Sequence, residues 1–179
     1  MKRKMILVAL FLLTVIMMCI GSVGAYMRKQ TEVVENVFVP AKVSCVVNET
    51  FQDNKKTNIT ITNTGTIEAY LRLRLVTYWV DSNGNILFET SPTISVALDK
   101  NFWVQSGDTY YYKEPVGPGE STEKLLENGK FIQLVDDDDN GKRQVVEVFA
   151  EEIQSKPTEA VTGVWPVVLD SDDMIKALQ

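Results

Sequence analysis

Hydrophobic and polar positions change rhythm twice along the chain. Between Met5 and Ile20 there is no alternation: the run is apolar and uncharged, with Lys2, Arg3 and Lys4 before it and small residues at 21–25 after it. From residue 42 onward the rhythm has period two, in short runs broken by Gly, Asn, Asp and Pro. Val43, Cys45 and Val47 share one face of 42–47, and Ile59 and Ile61 share one face of 57–61. The longest run, 68–80, puts Leu71, Leu73, Leu75, Thr77 and Trp79 on one face and Tyr70, Arg72, Arg74, Val76 and Tyr78 on the other. That spacing predicts a strand with one buried and one wet face. Turns are predicted at 63–66 and 81–85, and a rigid loop at 115–122. Further strands are predicted at 86–88, 94–98, 102–104, 109–113, 123–126, 131–135 and 144–153. Past Gln154 the rhythm changes again. The spacing there predicts a short helix capped by Thr158 with Glu159 in its first turn. A second helix is predicted at the end of the chain, capped by Asp170 or Ser171. The pattern as a whole predicts an all-β fold, a jelly-roll or immunoglobulin-like antiparallel sandwich with one or two short helices near the C-terminus.

The first 25 residues are set apart by more than hydropathy. Basic, apolar and small segments in that order are the anatomy of a secretory signal peptide. Val23 and Ala25 stand at the spacing a signal peptidase reads, which places the cut after Ala25. The rival is a retained membrane anchor, since the run approaches the ~20 residues that span a bilayer. The expected organisation is a signal peptide at 1–25, an N-terminal extension or first or donor strand at 26–39, a β-sandwich at 40–169 and a helical tail at 170–179. Cleavage leaves 154 of the 179 residues and moves the net charge from −6 to −9, because three basic residues leave with the leader. An acidic exported chain argues against nucleic acid as a partner and against membrane association after cleavage. Of the two cysteines only Cys45 follows the cut, and its setting suggests a small buried hydrophobe on a strand. The chain has no histidine, which removes His-based triads and His-rich zinc sites. No catalytic residue and no cofactor-binding residue is expected.

Several segments in order, NVFVPAKV (36–43), KTNITITNTGTIEAYLRLRLVTYW (56–79), DSNGNIL (81–87), YYYKEPVGPGEST (110–122) and VEVFAEEIQSKPTEAVTGVW (146–165), resemble the SipW-dependent, TasA/camelysin-like exported proteins of Gram-positive bacteria. The likeness extends to the leader and covers roughly residues 1–165. It implies a secreted β-sandwich at the cell surface or in the extracellular matrix of a biofilm. In fibre-forming relatives the segment after the cut completes the sheet of a neighbouring subunit. Here that implies self-assembly, or assembly with related matrix subunits, through 26–39, which contains VVENVFV. The metalloprotease activity attached to camelysin finds no imidazole ligands in this chain.

Candidate chemistry is confined to three places. VDDDDNGKRQVVE (135–147) matches the short calcium-loop pattern at Asp136, Asp138, Asn140, Gly141 and Glu147. An EF-hand needs a helix after the loop, however, and QVVEVFAEEIQ is β-type. A strand carries Glu147 away from the turn at about 3.3 Å per residue. The expectation is therefore a polar hairpin tip, the alternative being a truncated, weak calcium site formed by Asp136, Asp138 and Asn140 alone. Arg72 and Arg74 are expected to pair with cross-strand acids, Glu147 and Glu151 being the candidates. Tyr110, Tyr111 and Tyr112, with Trp79 and Trp103, are expected to pack in the core or its rim, alternation burying Tyr111 or its neighbours. On a surface they could stack on a glycan.

Overall fold

The computed structural model describes residues 2–29 and 40–177, in two units, 1–39 and 40–179. In the first unit the basic, apolar and small segments form one helix, α1 (Lys2–Lys29). Among the described residues no helix is long and apolar enough to cross a membrane. The expected extension or donor strand at 26–39 begins inside α1 at Tyr26, and from residue 30 it lies outside the described residues.

The second unit is mostly β, with antiparallel pairing throughout its named strands. Strands β1 (Cys45–Gln52) and β2 (Lys55–Asn63) form a hairpin. Asp53 and Asn54 take φ of 52° and 56° at its turn, the left-handed pair that suits right-twisted strands. The predicted long strand is β3 (Ala69–Asp81), which carries β4 (Ile86–Leu87) at its end. β5 (Trp103–Ser106) and β6 (Thr109–Tyr112) make the next hairpin, followed by β7 (Ile132–Gln133) and β8 (Asp136–Asp137). β9 (Lys142–Gln154) pairs with β3 along its whole length, from Ala69 opposite Gln154 to Asp81 opposite Lys142. A three-stranded sheet has the order β1-β2-β7, and a six-stranded sheet the order β5-β6-β3-β9-β8 with β4 on β3.

One apolar cluster joins these sheets. Ile59 and Ile61 of β2 meet Leu71 and Leu73 of β3, Trp103, Tyr110, Tyr112 and Val146. The inward face of β3 is thus the leucine face that period two predicted. Its other face departs from the expectation. Tyr70 and Tyr111 are 1% exposed there, under a second cluster formed with Val161, Trp165, Val167 and Ile175. The covering elements are α2 (Glu159–Val164), β10 (Val167–Leu169) and β11 (Ile175–Ala177). All three tyrosines of β6 are therefore buried, Tyr110 and Tyr112 on one side of the sheet and Tyr111 on the other.

The expected helices near the C-terminus are corrected by these elements. Most helical residues lie in α1 at the other end of the chain, and the expected helical tail at 170–179 contains strand β11 paired with β10. Asp170 does catch backbone N–H groups, as a cap would, but those of Asp172 and Met174 in a tight turn. Asp173 takes φ 58° in that turn and sends Ile175 back under the sheet, where it is fully buried. α2 forms where expected, yet Thr158 makes no side-chain cap bond. The runs at 94–98 and 123–126 meet only in an isolated bridge between Leu98 and Leu126.

Candidate functional site

The acidic segment is a hairpin tip. β8 pairs with β9 through Asp136 opposite Arg143 and Asp137 opposite Lys142, and a 3-10 turn at Asp138–Asn140 closes it. Gly141 takes φ 62°, which a residue with a Cβ adopts only under strain. The structure engages the oxygens that calcium would need in bonds of the protein's own. Asn54 Nδ2 donates to Asp136. Asn140 Nδ2 donates to both oxygens of Asp137, at 3.0 and 2.9 Å. Lys142 reaches Asp137 at 3.8 Å and Glu89 at 2.6 Å, and its ammonium stands 5.1 Å from the Trp79 ring centre. Its hydrogen bond to Glu89 holds the amine above its usual range. Asp136 and Asn140 thus share the tip, but Asn140 serves Asp137, which the calcium pattern does not use. Glu147 lies within β9 opposite Val76, and its carboxylate accepts a bond of 2.8 Å from the Tyr78 hydroxyl. That bond raises the Tyr78 pKa. Among the described residues no group of three acidic or cysteine side chains converges as a metal site.

The arginines pair as expected. Arg72 lies opposite Glu151, and its Nε donates to that carboxylate at 2.8 Å, while Arg74 reaches it at 3.5 Å. Arg72 also lies 4.6 Å from the Trp165 ring centre, so it joins the second apolar cluster to the strand beneath. The turn at 63–66 is structural. Asn63 is fully buried and donates to the carbonyls of Ile67 and Val116, both at 2.8 Å.

A second candidate site escaped the sequence. β9 has β3 on one side, but β8 covers its other side only at Lys142 and Arg143. Gln144 N–H still reaches the Val135 carbonyl, and Ser155 N–H turns to Glu68 on the β3 side. By the same two-residue parity, Val146, Val148, Ala150 and Glu152 aim their N–H and C=O groups away from β3. These groups have no backbone partner among the described residues. β1 is the edge of the other sheet and runs beside this open edge. Two adjoining hollows of about 300 and 380 Å³ follow the seam. The first is lined by Phe51, Leu134 and Val146 with Arg143 and Gln144, the second by Val47, Val148 and Phe149, and Glu49, Lys56 and Glu147 line both. Lys56 is only 7% exposed and donates to the two oxygens of Glu49 at 2.7 and 2.8 Å. At the far end Cys45 lies under the influence of Glu152, whose Oε2 is buried without a partner among the described residues. Burial first, then Glu152, pushes the Cys45 thiol up to about 12.

Alternation along KKTNITI sets Lys56 off from Ile59 and Ile61, so it reads as outward. A bulge where Glu49 interrupts the β1–β2 register, with Asn58 at φ 53°, shifts the parity and turns Lys56 inward. The chain matches no family model, no curated protein and no solved structure.

Proposed function

We propose that this is a secreted structural protein of the cell surface or biofilm matrix, with its two sheets stacked as a sandwich, that self-assembles by strand addition. The observation that carries the reading is the open edge of β9. A row of unpaired backbone groups beside an apolar hollow is a template for one more strand, backbone bonds supplying affinity and alternate side chains supplying register. The leader's basic, apolar and small order and the resemblance to TasA/camelysin-like proteins supply the secretory setting. A calcium- or glycan-binding surface module is the alternative. It is weakened by the internal bonds of Asp136 and Asn140 and by the burial of the three tyrosines.

The test is the size of the exported protein. The full chain is expressed in a Gram-positive host, and the released product is followed by light scattering over concentration and time, with its first residue determined. Growth into large species that is lost on deletion of residues 30–39 supports strand addition. A product that stays monomeric throughout, or a deletion variant that assembles like the parent, rejects it.

A further inference from the structure

The seam holds a feature that a plain hydrophobic slot would lack. Lys56, Glu49 and Glu147 line both hollows, and apolar side chains flank them, Phe51, Leu134 and Val146 in the first and Val47, Val148 and Phe149 in the second. An ammonium has three donors. Glu49 takes two of those of Lys56, and the third has no acceptor among the described residues. Inward-facing charge on a sheet edge excludes strands that cannot satisfy it. Any strand that enters therefore needs a polar side chain over the pair, with apolar side chains two residues to either side, about 7 Å away along the strand.

The segment VVENVFV (33–39) meets that requirement. It is the apolar, alternating part of the chain immediately before Pro40, and it lies outside the described residues. In the described structure, Lys42 and Ser44 continue the line of β1, held by Thr66 N–H to the Lys42 carbonyl at 2.8 Å and Thr64 N–H to the Ser44 carbonyl at 2.6 Å. Residues 42–44 thus run on past the Cys45 end of the seam, which suits a seam on another copy. One face of the segment offers Val34, Asn36 and Phe38, the other Val33, Glu35, Val37 and Val39. The Lys56–Glu49 pair is already neutral. Turning Glu35 inward would bring a second carboxylate onto one buried ammonium. The amide of Asn36 suits both partners, its oxygen accepting from Lys56 and its NH2 donating to Glu49.

We infer that the Lys56–Glu49 pair sets the specificity and register of the seam. It admits segment 33–39 of a second copy with Val34, Asn36 and Phe38 inward and Asn36 over the pair. This rests on the strand-addition reading and goes further by naming the strand face and the residue that is read.

The experiment compares the exported full chain with Asn36→Leu, Glu35→Leu and deletion of residues 30–39, each followed by light scattering. A triple variant adds Lys56→Met and Glu49→Leu to Asn36→Leu. Asn36→Leu is expected to slow assembly about tenfold or more, because it covers a charged pair with a side chain that cannot bond to it. Glu35→Leu is expected to assemble at the parent rate, and the triple variant to recover. Native-like assembly of Asn36→Leu, loss of assembly in Glu35→Leu instead, or no recovery in the triple variant overturns the register. If any of these occurs while the deletion still abolishes growth, strand addition stands and the register alone is wrong. If the deletion changes nothing, both fall.

Discussion

Asn63→Asp alters one atom type at a fully buried position, and its cost should depend on pH. In the native chain Nδ2 donates to two carbonyls, of Ile67 and Val116, and Oδ1 accepts from Gly65 N–H at 2.8 Å. Replacing Nδ2 by oxygen leaves both carbonyls facing an acceptor. A protonated carboxyl can donate to one of them, and a carboxylate to neither. The folded state therefore favours the protonated acid and raises its pKa, by about 3 units for a group this deeply buried. A raised folded pKa means the deficit is smallest below the unfolded value of about 3.9 and grows as pH climbs toward the folded value. Near pH 4 the expected loss is about 2 kcal/mol, the cost of one buried carbonyl without a donor. At pH 7 about 4 kcal/mol more is expected, from ~3 units at 1.36 kcal/mol each. Urea denaturation of parent and variant at both pH values measures this, and taking the difference at each pH cancels effects common to both. If the variant unfolds outright at pH 7, refolding on acidification to about pH 4 gives the same answer. Asn63→Ala is the control, with a deficit that does not change with pH. A deficit for Asn63→Asp that is equal at the two pH values, or below about 1 kcal/mol at pH 7, refutes the buried-donor account.

Other consequences are simpler to test. Gly65→Ala would set a Cβ 2.4 Å from the Lys42 carbonyl oxygen, so residues 42–44 must part from the turn, and melting should show a loss of about 2 kcal/mol. Parent-like melting would mean that segment contributes nothing. Arg72→Met removes both the Glu151 pairing and the contact with Trp165, with an expected cost of about 1–2 kcal/mol in urea titration, and an unchanged midpoint would make the pair ornamental. The Cys45 thiol, raised to about 12, should alkylate slowly near pH 8 until the chain is unfolded. The same shift makes its contribution to stability complete below the unperturbed thiol value of 9.0 and lost as pH rises toward about 12. Calorimetric titration should find no saturable calcium binding below about 1 mM. Micromolar binding lost in Asp136→Ala would restore the calcium site.

What was legible in the sequence follows from which forces are local. The leucine face of β3 is written in period two because each alternate residue meets the same core, and the arginines opposite pair across the strand as their spacing requires. The hairpin tip was legible for the same reason, since turn chemistry at Gly141 and the β-type flank at 144–153 sit within a few residues of the aspartates. The C-terminal cover was not. Whether DMIKAL becomes helix or strand depends on Tyr70 and Tyr111, about a hundred residues earlier in the chain for Tyr70, whose hydroxyl donates to the Asp173 carbonyl at 2.5 Å. The inward turn of Lys56 was hidden for another reason. A bulge reverses parity without changing composition, so alternation read through it assigns every residue beyond to the wrong face. A cation turned into a seam between two sheet edges is then a choice of the fold, and an apolar residue would fill the same space. That contrast is what makes Lys56 and Glu49, more than the four aspartates at the tip, the side chains through which this surface can discriminate between strands.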